Sequence, residues 1–172
     1  MKKFFGIFVV AIAFFAATAQ AQNGMPAISK TVFSKGDNIV SLTVGYGWGF
    51  SQRLVYEHAV ASWFDGQLSV GVGAAVGNSI KFWYDGDISD RLYVGAVASC
   101  HYQFIDKLDT YVQLGLGLMT RFGYRHYYQS VCAFDATGSA GVRWYFNDNF
   151  AVNAEVGYTT DSYFMAGVTY KF

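Results

Sequence analysis

Charged residues, proline and long apolar runs are scarce in this chain, and each scarcity excludes a class of protein. Charged residues make up 14% of the 172 positions, against roughly 25% in ordinary soluble domains, whereas aromatic residues make up 19%. Pro26 is the single proline, so little interrupts a sheet, because proline removes a ladder hydrogen bond. No run of 18 apolar residues follows the first two dozen positions, so no transmembrane helix is predicted.

Basic clusters and metal-ligand spacings are also missing from the sequence. The formal net charge is zero, and without Lys2 and Lys3 the chain carries 10 basic and 12 acidic residues. The absence of a basic run argues against nucleic acid as a partner. His58, His101 and His126 lie too far apart for a short ligand motif. We therefore predict no metal and no other cofactor.

Cysteine is limited to Cys100 and Cys132, an even number that fits an oxidising compartment. The strand pattern described below places Cys100 near one end of its strand and Cys132 near the opposite rim. That separation exceeds the approach that a disulfide requires. Free thiols are therefore predicted.

The N-terminus has the features of a secretory signal. Met1–Ala21 combines two lysines, an apolar stretch of roughly 14 residues and a small-x-small exit, Ala19-Gln20-Ala21. The alternative, an N-terminal membrane anchor, is disfavoured because that stretch is too short to span a bilayer comfortably. Residues 22–36 follow as a polar periplasmic lead-in, and residues 37–172 form the remaining domain.

The last ten residues, 163–172, alternate in character along the chain. Successive side chains of a strand point to opposite faces. One face here is apolar with aromatic ends, whereas the other is small, polar or charged. The apolar face carries Phe172, Tyr170, Val168, Ala166 and Phe164. A period of two predicts a strand, and an apolar outer face over a polar inner face is typical of a membrane-spanning β-barrel.

The same alternation recurs and gives eight predicted strands in all. They are about 38–50, 54–64, 67–77, 91–104, 109–121, 135–146, 150–160 and 163–172. Short turns alternate with connections at 51–53, 78–90, 122–134 and 161–162. The first and last strands must pair, because an open sheet edge is too costly in lipid. The predicted fold is all-β, an eight-stranded antiparallel up-and-down transmembrane β-barrel, with the loops 78–90 and 122–134 outside.

Three stretches resemble the small outer-membrane β-barrel proteins of Bacteroidota, within the broader OmpA/OmpX-like eight-stranded class. They are residues 33–38 with 44–49, residues 143–158, and the final Val168-Thr-Tyr-Lys-Phe. The resemblance implies the outer membrane of a Gram-negative cell as the location. It also implies that Tyr170 and Phe172 form a C-terminal signal for the barrel assembly machinery.

Charged side chains on the predicted inner face are the most informative set for function. They are Glu57, Arg121, Arg143, Glu155 and Lys171. Buried charges are costly unless they are paired. We therefore hypothesise a network of Arg143, Glu155 and Glu57 that plugs the lumen. The alternative is that water in the lumen solvates each of them separately.

These features favour a non-enzymatic, monomeric barrel with a structural or surface-interaction role. Its expected partners are membrane lipid, the assembly machinery and a surface ligand at loops 78–90 and 122–134. One alternative is a narrow channel for ions or small solutes. A less favoured alternative is a lipid-A-modifying hydrolase that uses Ser130, His126 and Asp135, although no local motif supports it.

Overall fold

The structure, a computed structural model, describes residues 28–47, 49–82, 88–123, 132–159 and 162–172. Eight antiparallel strands form a closed barrel in sequence order, and β8 pairs with β1. The strands are β1 (Asn38–Gly47), β2 (Phe50–Trp63), β3 (Leu68–Phe82), β4 (Ile88–Ile105), β5 (Leu108–Gly123), β6 (Cys132–Tyr145), β7 (Phe150–Thr159) and β8 (Ser162–Lys171). The predicted closure of the ring is confirmed.

The outside of the barrel is apolar on every strand. Leu116 and Val94, both in the middle of their strands, are 71% and 55% exposed. Exposed apolar residues of each strand include Leu42, Leu54, Val72, Val94, Leu116, Val142, Val152 and Val168. A continuous apolar belt of this kind suits hydrocarbon and not water.

We call the end of the barrel where β1 begins and β8 ends the turn end, and the opposite end the loop end. At the loop end the strands run further than the alternation predicts. β3 reaches Phe82 and β4 begins at Ile88, so the predicted loop 78–90 is largely a paired hairpin. Backbone hydrogen bonds continue the ladder there, although polar Asn78 and Asp90 interrupt the apolar outer face.

Two more of the four predicted connections are corrected in the same way. β5 continues to Gly123 and β6 begins at Cys132, which shortens the predicted loop 122–134. Residues 51–53, predicted as a connection, belong to β2, and Ser51 pairs with Gly45. That last correction matters for the lumen, because it brings Arg53 onto the inner face.

Aromatic rings occupy the lumen, and glycines make room for them. The Tyr93 ring is fully buried. A Cβ atom added to Gly95 would overlap the Tyr93 hydroxyl, and one added to Gly141 would lie 2.5 Å from Cζ of Tyr111. The small residues of the inner face therefore leave space for large side chains, from the same strand for Tyr93 over Gly95 and from the neighbouring strand for Tyr111 over Gly141. This packing fits an eight-stranded barrel, whose interior is just wide enough for side chains.

The two cysteines lie far apart on the barrel wall. Cys100 pairs with Val112 on β5, whereas Cys132 pairs with Thr120 on the same strand. Eight residues of strand separate those partners, about 27 Å at ~3.4 Å per residue. Both thiols are free, as predicted.

Residues 28–37 precede β1 and fold back over the turn end. Val32 and Phe33 are buried there. The chain then reverses through Gly36, whose φ of +96° suits glycine, and the Gly36 amide donates to the Ala59 carbonyl at 2.9 Å. The predicted signal Met1–Ala21 lies outside the described residues.

No helix within the described ranges is long and apolar enough to cross a membrane.

Candidate functional site: the charged lumen

Four ionisable side chains from four strands meet in the half of the lumen near the turn end. They are Glu57, His101, Asp109 and Arg143, and each is no more than 1% exposed. Arg143 donates from Nη2 to Glu57 Oε1 and from Nη1 to Asp109 Oδ2, the latter at 3.3 Å. His101 lies between the same two carboxylates. We call these four residues the ionic ring.

Strand register accounts for one side of the ring. Asp109 and Arg143 are directly opposite each other on β5 and β6. Directly opposed residues of antiparallel strands lie within side-chain contact. Glu57, on β2, reaches them across the lumen and not along the ladder. The ring therefore ties one wall of the barrel to the other.

Both nitrogens of the His101 imidazole face carboxylates. Nδ1 lies 2.9 Å from Asp109 Oδ2, and Nε2 lies 3.3 Å from Glu57 Oε2 and 2.9 Å from Ser99 Oγ. Two carboxylates and one guanidinium leave a single negative charge, which an imidazolium cancels. Buried charges are tolerated when they are paired and hydrogen-bonded, so this geometry favours a histidine with protons on both nitrogens.

A second buried ion pair joins β2 to β7. Arg53 Nη1 lies 3.2 Å from Glu155 Oε2, and Arg53 Nη2 donates to Gln113 Oε1. The Glu155 carboxylate also accepts from the Tyr111 hydroxyl at 2.8 Å and from Ser139 Oγ at 3.3 Å. This carboxylate therefore has three donors around it, the arrangement that a buried anion requires.

Tyr111 connects the two clusters. Its hydroxyl donates to Glu155, while its ring lies 4.0 Å from the Arg143 guanidinium carbon in a cation–π contact. The same ring stacks on His101 with the centroids 5.4 Å apart. One aromatic side chain thus makes a continuous network of the ionic ring and the Arg53–Glu155 pair.

The structure brings together part of the set that the sequence predicts. Glu57 and Arg143 contact each other, and Arg143 lies opposite Asn153 as the register argument expects. Glu155 is buried in the same lumen, but it pairs with Arg53 and meets Arg143 through Tyr111. The predicted direct partnership of Arg143 and Glu155 is therefore replaced by two separate ion pairs.

Two predicted network members lie elsewhere. Arg121 has the inward parity of β5, yet it is exposed because it lies near the loop end, beyond the closed part of the lumen. Lys171 lies at the turn end, where its Nζ is 3.7 Å from Asp37 Oδ2. Neither is part of the central network.

Besides Tyr111, three members of the network are missing from the set that the sequence predicts. The alternation predicts a connection at Arg53, although Arg53 shares the inward parity of Glu57 four residues later. Asp109 is the first residue of its predicted strand, where the face to which a side chain points is hard to assign. His101 is considered above only for metal ligation; of its two carboxylate partners, Asp109 is eight residues away on the next strand, whereas Glu57 is 44 residues away. Parity alone could have found Arg53, but not the contact of His101 with Glu57.

The N-terminal segment adds a lid to the turn end of this network. The Phe33 ring packs on the His101 ring with the centroids 4.4 Å apart. Gln103 binds the backbone of the segment twice, because its Oε1 accepts from the Val32 amide and its Nε2 donates to the Lys30 carbonyl, both at 2.9 Å. The lead-in predicted for residues 22–36 is thus docked against the barrel over its described part.

Two exposed aspartates hold the start of the segment. Asp106 accepts from the Ser29 hydroxyl at 2.6 Å and from the Ser29 amide at 2.9 Å, and these bonds hold the pKa of Asp106 below its ordinary value of 3.8. A hydrogen bond and ion pair from Lys30, at 2.6 Å, likewise lowers the pKa of Asp148. A pocket of about 410 Å³ remains between the segment and these turns, so the segment covers part of the mouth.

Residues considered for catalysis are not brought together in the described structure. His126 and Ser130 lie outside the described residues, and Asp135 pairs with Gly117 in the ladder of β6 with β5. Within the described ranges, no group of three or more His, Cys, Asp or Glu side chains is arranged to hold a metal ion.

Tyr170 and Phe172 lie on the outside of the barrel at the turn end. Their side chains are 43% and 61% exposed. The Tyr170 ring contacts those of Phe150 and Phe172, with centroids 4.8 and 6.1 Å apart. They form part of an aromatic patch of the kind found where barrels meet the membrane interface.

Solved structures match most of the chain at low sequence identity. The N-terminal β-barrel domain of OprF from Pseudomonas aeruginosa is 16% identical with a TM-score of 0.53, over 80% of this chain and 98% of that one. The attachment invasion locus protein Ail of Yersinia pestis is 16% identical with a TM-score of 0.52, over 80% and 99%. A de novo designed transmembrane β-barrel is 20% identical with a TM-score of 0.50, over 81% and 98%. No family model and no curated protein matches the sequence.

These likenesses concern the fold. Together with the apolar exterior and the closed sheet, they identify an eight-stranded antiparallel transmembrane β-barrel. The predicted fold class is confirmed. The finer resemblance to a Bacteroidota group stays a prediction.

Proposed function

We propose that this chain is a non-enzymatic outer-membrane β-barrel protein whose lumen is closed to ions and whose role is structural or surface-interactive. The observation that carries the proposal is the buried charge network. Guanidinium and carboxylate groups from β2, β5, β6 and β7 join across the lumen, with the described partners in direct contact. A conducting pore keeps such groups hydrated, whereas these are no more than 4% exposed.

The proposed orientation follows the usual asymmetry of outer-membrane barrels. Short turns face the periplasm and longer connections face outward, so the turn end with its docked N-terminal segment is periplasmic. The loop end then presents the β3–β4 and β5–β6 connections to the exterior. A surface role agrees with the name of Ail as an attachment protein. We further propose a monomer that the assembly machinery recognises through Tyr170 and Phe172.

Single-channel recording in planar bilayers tests the closed lumen. The purified mature chain is expected to give no steady conductance at any holding potential. A double variant, Arg53→Ala with Glu155→Ala, removes one ion pair that crosses the lumen and is expected to give small discrete openings. Arg121→Ala, an exposed arginine outside the network, is the matched control and should stay silent.

Steady ion conductance from the unaltered chain contradicts the closed-lumen proposal and establishes the channel alternative. Heat-modifiable gel migration of each variant confirms that the barrel is folded before recording. The lipid A of a deletion strain, measured by mass spectrometry, should be unchanged. Altered acylation would overturn the non-enzymatic part of the proposal.

A further inference from the structure

We propose that the mouth at the turn end is a peptide-binding site, which the chain's own residues 29–34 occupy in cis. The ligand class is a short peptide with a hydroxyl residue, a lysine, an aliphatic residue and an aromatic residue in the order Ser-Lys-x-Val-Phe. The inference is independent of whether the lumen conducts. It rests on how each part of the segment is held.

Gln103 recognises the backbone of the segment and not its side chains. Its amide accepts from the Val32 N–H and donates to the Lys30 carbonyl, so it makes the paired contacts that a neighbouring strand would make. The Gln103 side chain is 3% exposed. A buried amide with both its oxygen and nitrogen directed at one peptide is a built recognition element.

Two apolar pockets receive consecutive side chains. Val32 packs with Tyr145 and Ala151, whereas Phe33 packs with Ile39 and Ala59. The Phe33 ring also covers the His101 imidazole. Burial of a phenylalanine side chain contributes enough free energy to dominate binding of a short peptide.

Acidic turns select the polar start of the peptide. Asp106 accepts from both the amide and the hydroxyl of Ser29, and Asp148 pairs with the Lys30 ammonium. Residues 28–37 contribute no strand to the barrel, and the ladder closes through β1 and β8 without them. The segment is therefore a ligand attached by a short tether rather than a part of the wall.

The test uses the mature chain carrying Phe33→Asp, which disengages its own segment, with a fluorescent peptide of the sequence Ser29–Gly36 in detergent micelles. The unaltered chain is the first control. Its tethered segment has an effective concentration in the millimolar range, so it should bind the free peptide at least about tenfold more weakly. Val32→Asp is a second disengaging variant, used if Phe33→Asp fails to show heat-modifiable migration.

Saturable binding by the disengaged chain supports the proposal, provided that a peptide with Phe33→Ala binds at least about tenfold more weakly. Gln103→Leu in the disengaged chain should abolish binding, whereas Gln52→Leu, the same change on the exterior, should leave it unaltered. The proposal is overturned if a scrambled peptide binds equally well. It is also overturned if neither disengaged variant, when folded, binds the peptide. Neither result depends on conductance.

Discussion

The lumen is filled in two different ways by side chains that are equally buried. The charged half of this filling consists of the ionic ring and the Arg53–Glu155 pair, whose charged groups are held by ion pairs and hydrogen bonds. The apolar half consists of Tyr93 packed with Val55, Ala75 and Val97. The difference shows that one narrow barrel can be closed either by charge pairing or by shape.

The two halves should respond differently to substitution. In the charged half, removing one partner leaves the opposite charge buried without compensation. The free-energy cost of that unpaired charge exceeds the stabilisation that the intact pair provided. In the apolar half, a change of chemistry that keeps the volume is tolerated. The following predictions test that contrast, in order of decreasing effect.

Arg143→Met should be the most destabilising single change. It leaves Glu57 and Asp109 facing each other across His101, and loss of one partner from a buried ion pair typically costs about 3–5 kcal/mol. Arg121→Met is the matched control, because Arg121 is exposed; its effect should stay within about 0.5 kcal/mol. Urea unfolding of both variants in lipid vesicles, followed by tryptophan fluorescence, measures the difference.

Adding Glu57→Gln to Arg143→Met should recover part of the loss, since it removes one uncompensated carboxylate. A double variant that is less stable than Arg143→Met alone would contradict the charge-pairing account. Similar losses for Arg143→Met and Arg121→Met would contradict it as well.

The same substitution at two buried tyrosines should separate the two halves. Tyr111→Phe removes a hydroxyl that donates to the buried Glu155 carboxylate, at a cost of about 1–3 kcal/mol. Tyr93→Phe removes a hydroxyl for which the described residues offer no hydrogen-bond partner, so stability should change by less than about 0.5 kcal/mol. Unfolding midpoints that shift equally for both variants would remove the distinction between the halves.

Acidification should release the start of the N-terminal segment, the smallest of the expected effects. The pKa of Asp106 in the folded chain lies below its ordinary value of 3.8. The stabilisation from its bonds to Ser29 is therefore complete above that value and is lost as the pH falls through the lower folded pKa. The Ser29 amide proton resonance, followed by NMR, should shift with a midpoint below 3.8. In Asp106→Asn that titration should vanish.

Much of the fold could be predicted because alternation is a local signal. Residues 163–172 show it without any partner strand, and all eight strands repeat it. Strand ends were less predictable. Strands β3 and β4 continue past the polar residues Asn78 and Asp90, because backbone hydrogen bonds maintain the ladder there whatever the side chains are.

The site was less predictable than the fold. The face on which a side chain lies follows from the local sequence, whereas the side chains that it contacts do not. Parity placed Glu57, Arg143 and Glu155 on the inner face. It could not show that Glu155 pairs with Arg53, 102 residues away, or that His101 contacts Glu57, 44 residues away. Such contacts depend on how strands across the lumen are staggered, and the sequence of a single strand does not predict that stagger. Proximity across a hairpin suggested Arg143 and Glu155 as direct partners, and the stagger separates them.

The pairing of β1 with β8 also has a consequence for how the barrel forms. Seven of the eight strand pairings join neighbours in sequence, whereas Ser41 and Thr169, which share a hydrogen bond of 2.8 Å across the seam, are 128 residues apart. Closing a chain segment of that length costs about 4 kcal/mol of entropy, against about 1 for a short hairpin. Hairpins can therefore form early and in any order, while the seam is slow and cooperative. A sheet that lacks this seam has two open edges, and both disappear in one step when the last strand docks.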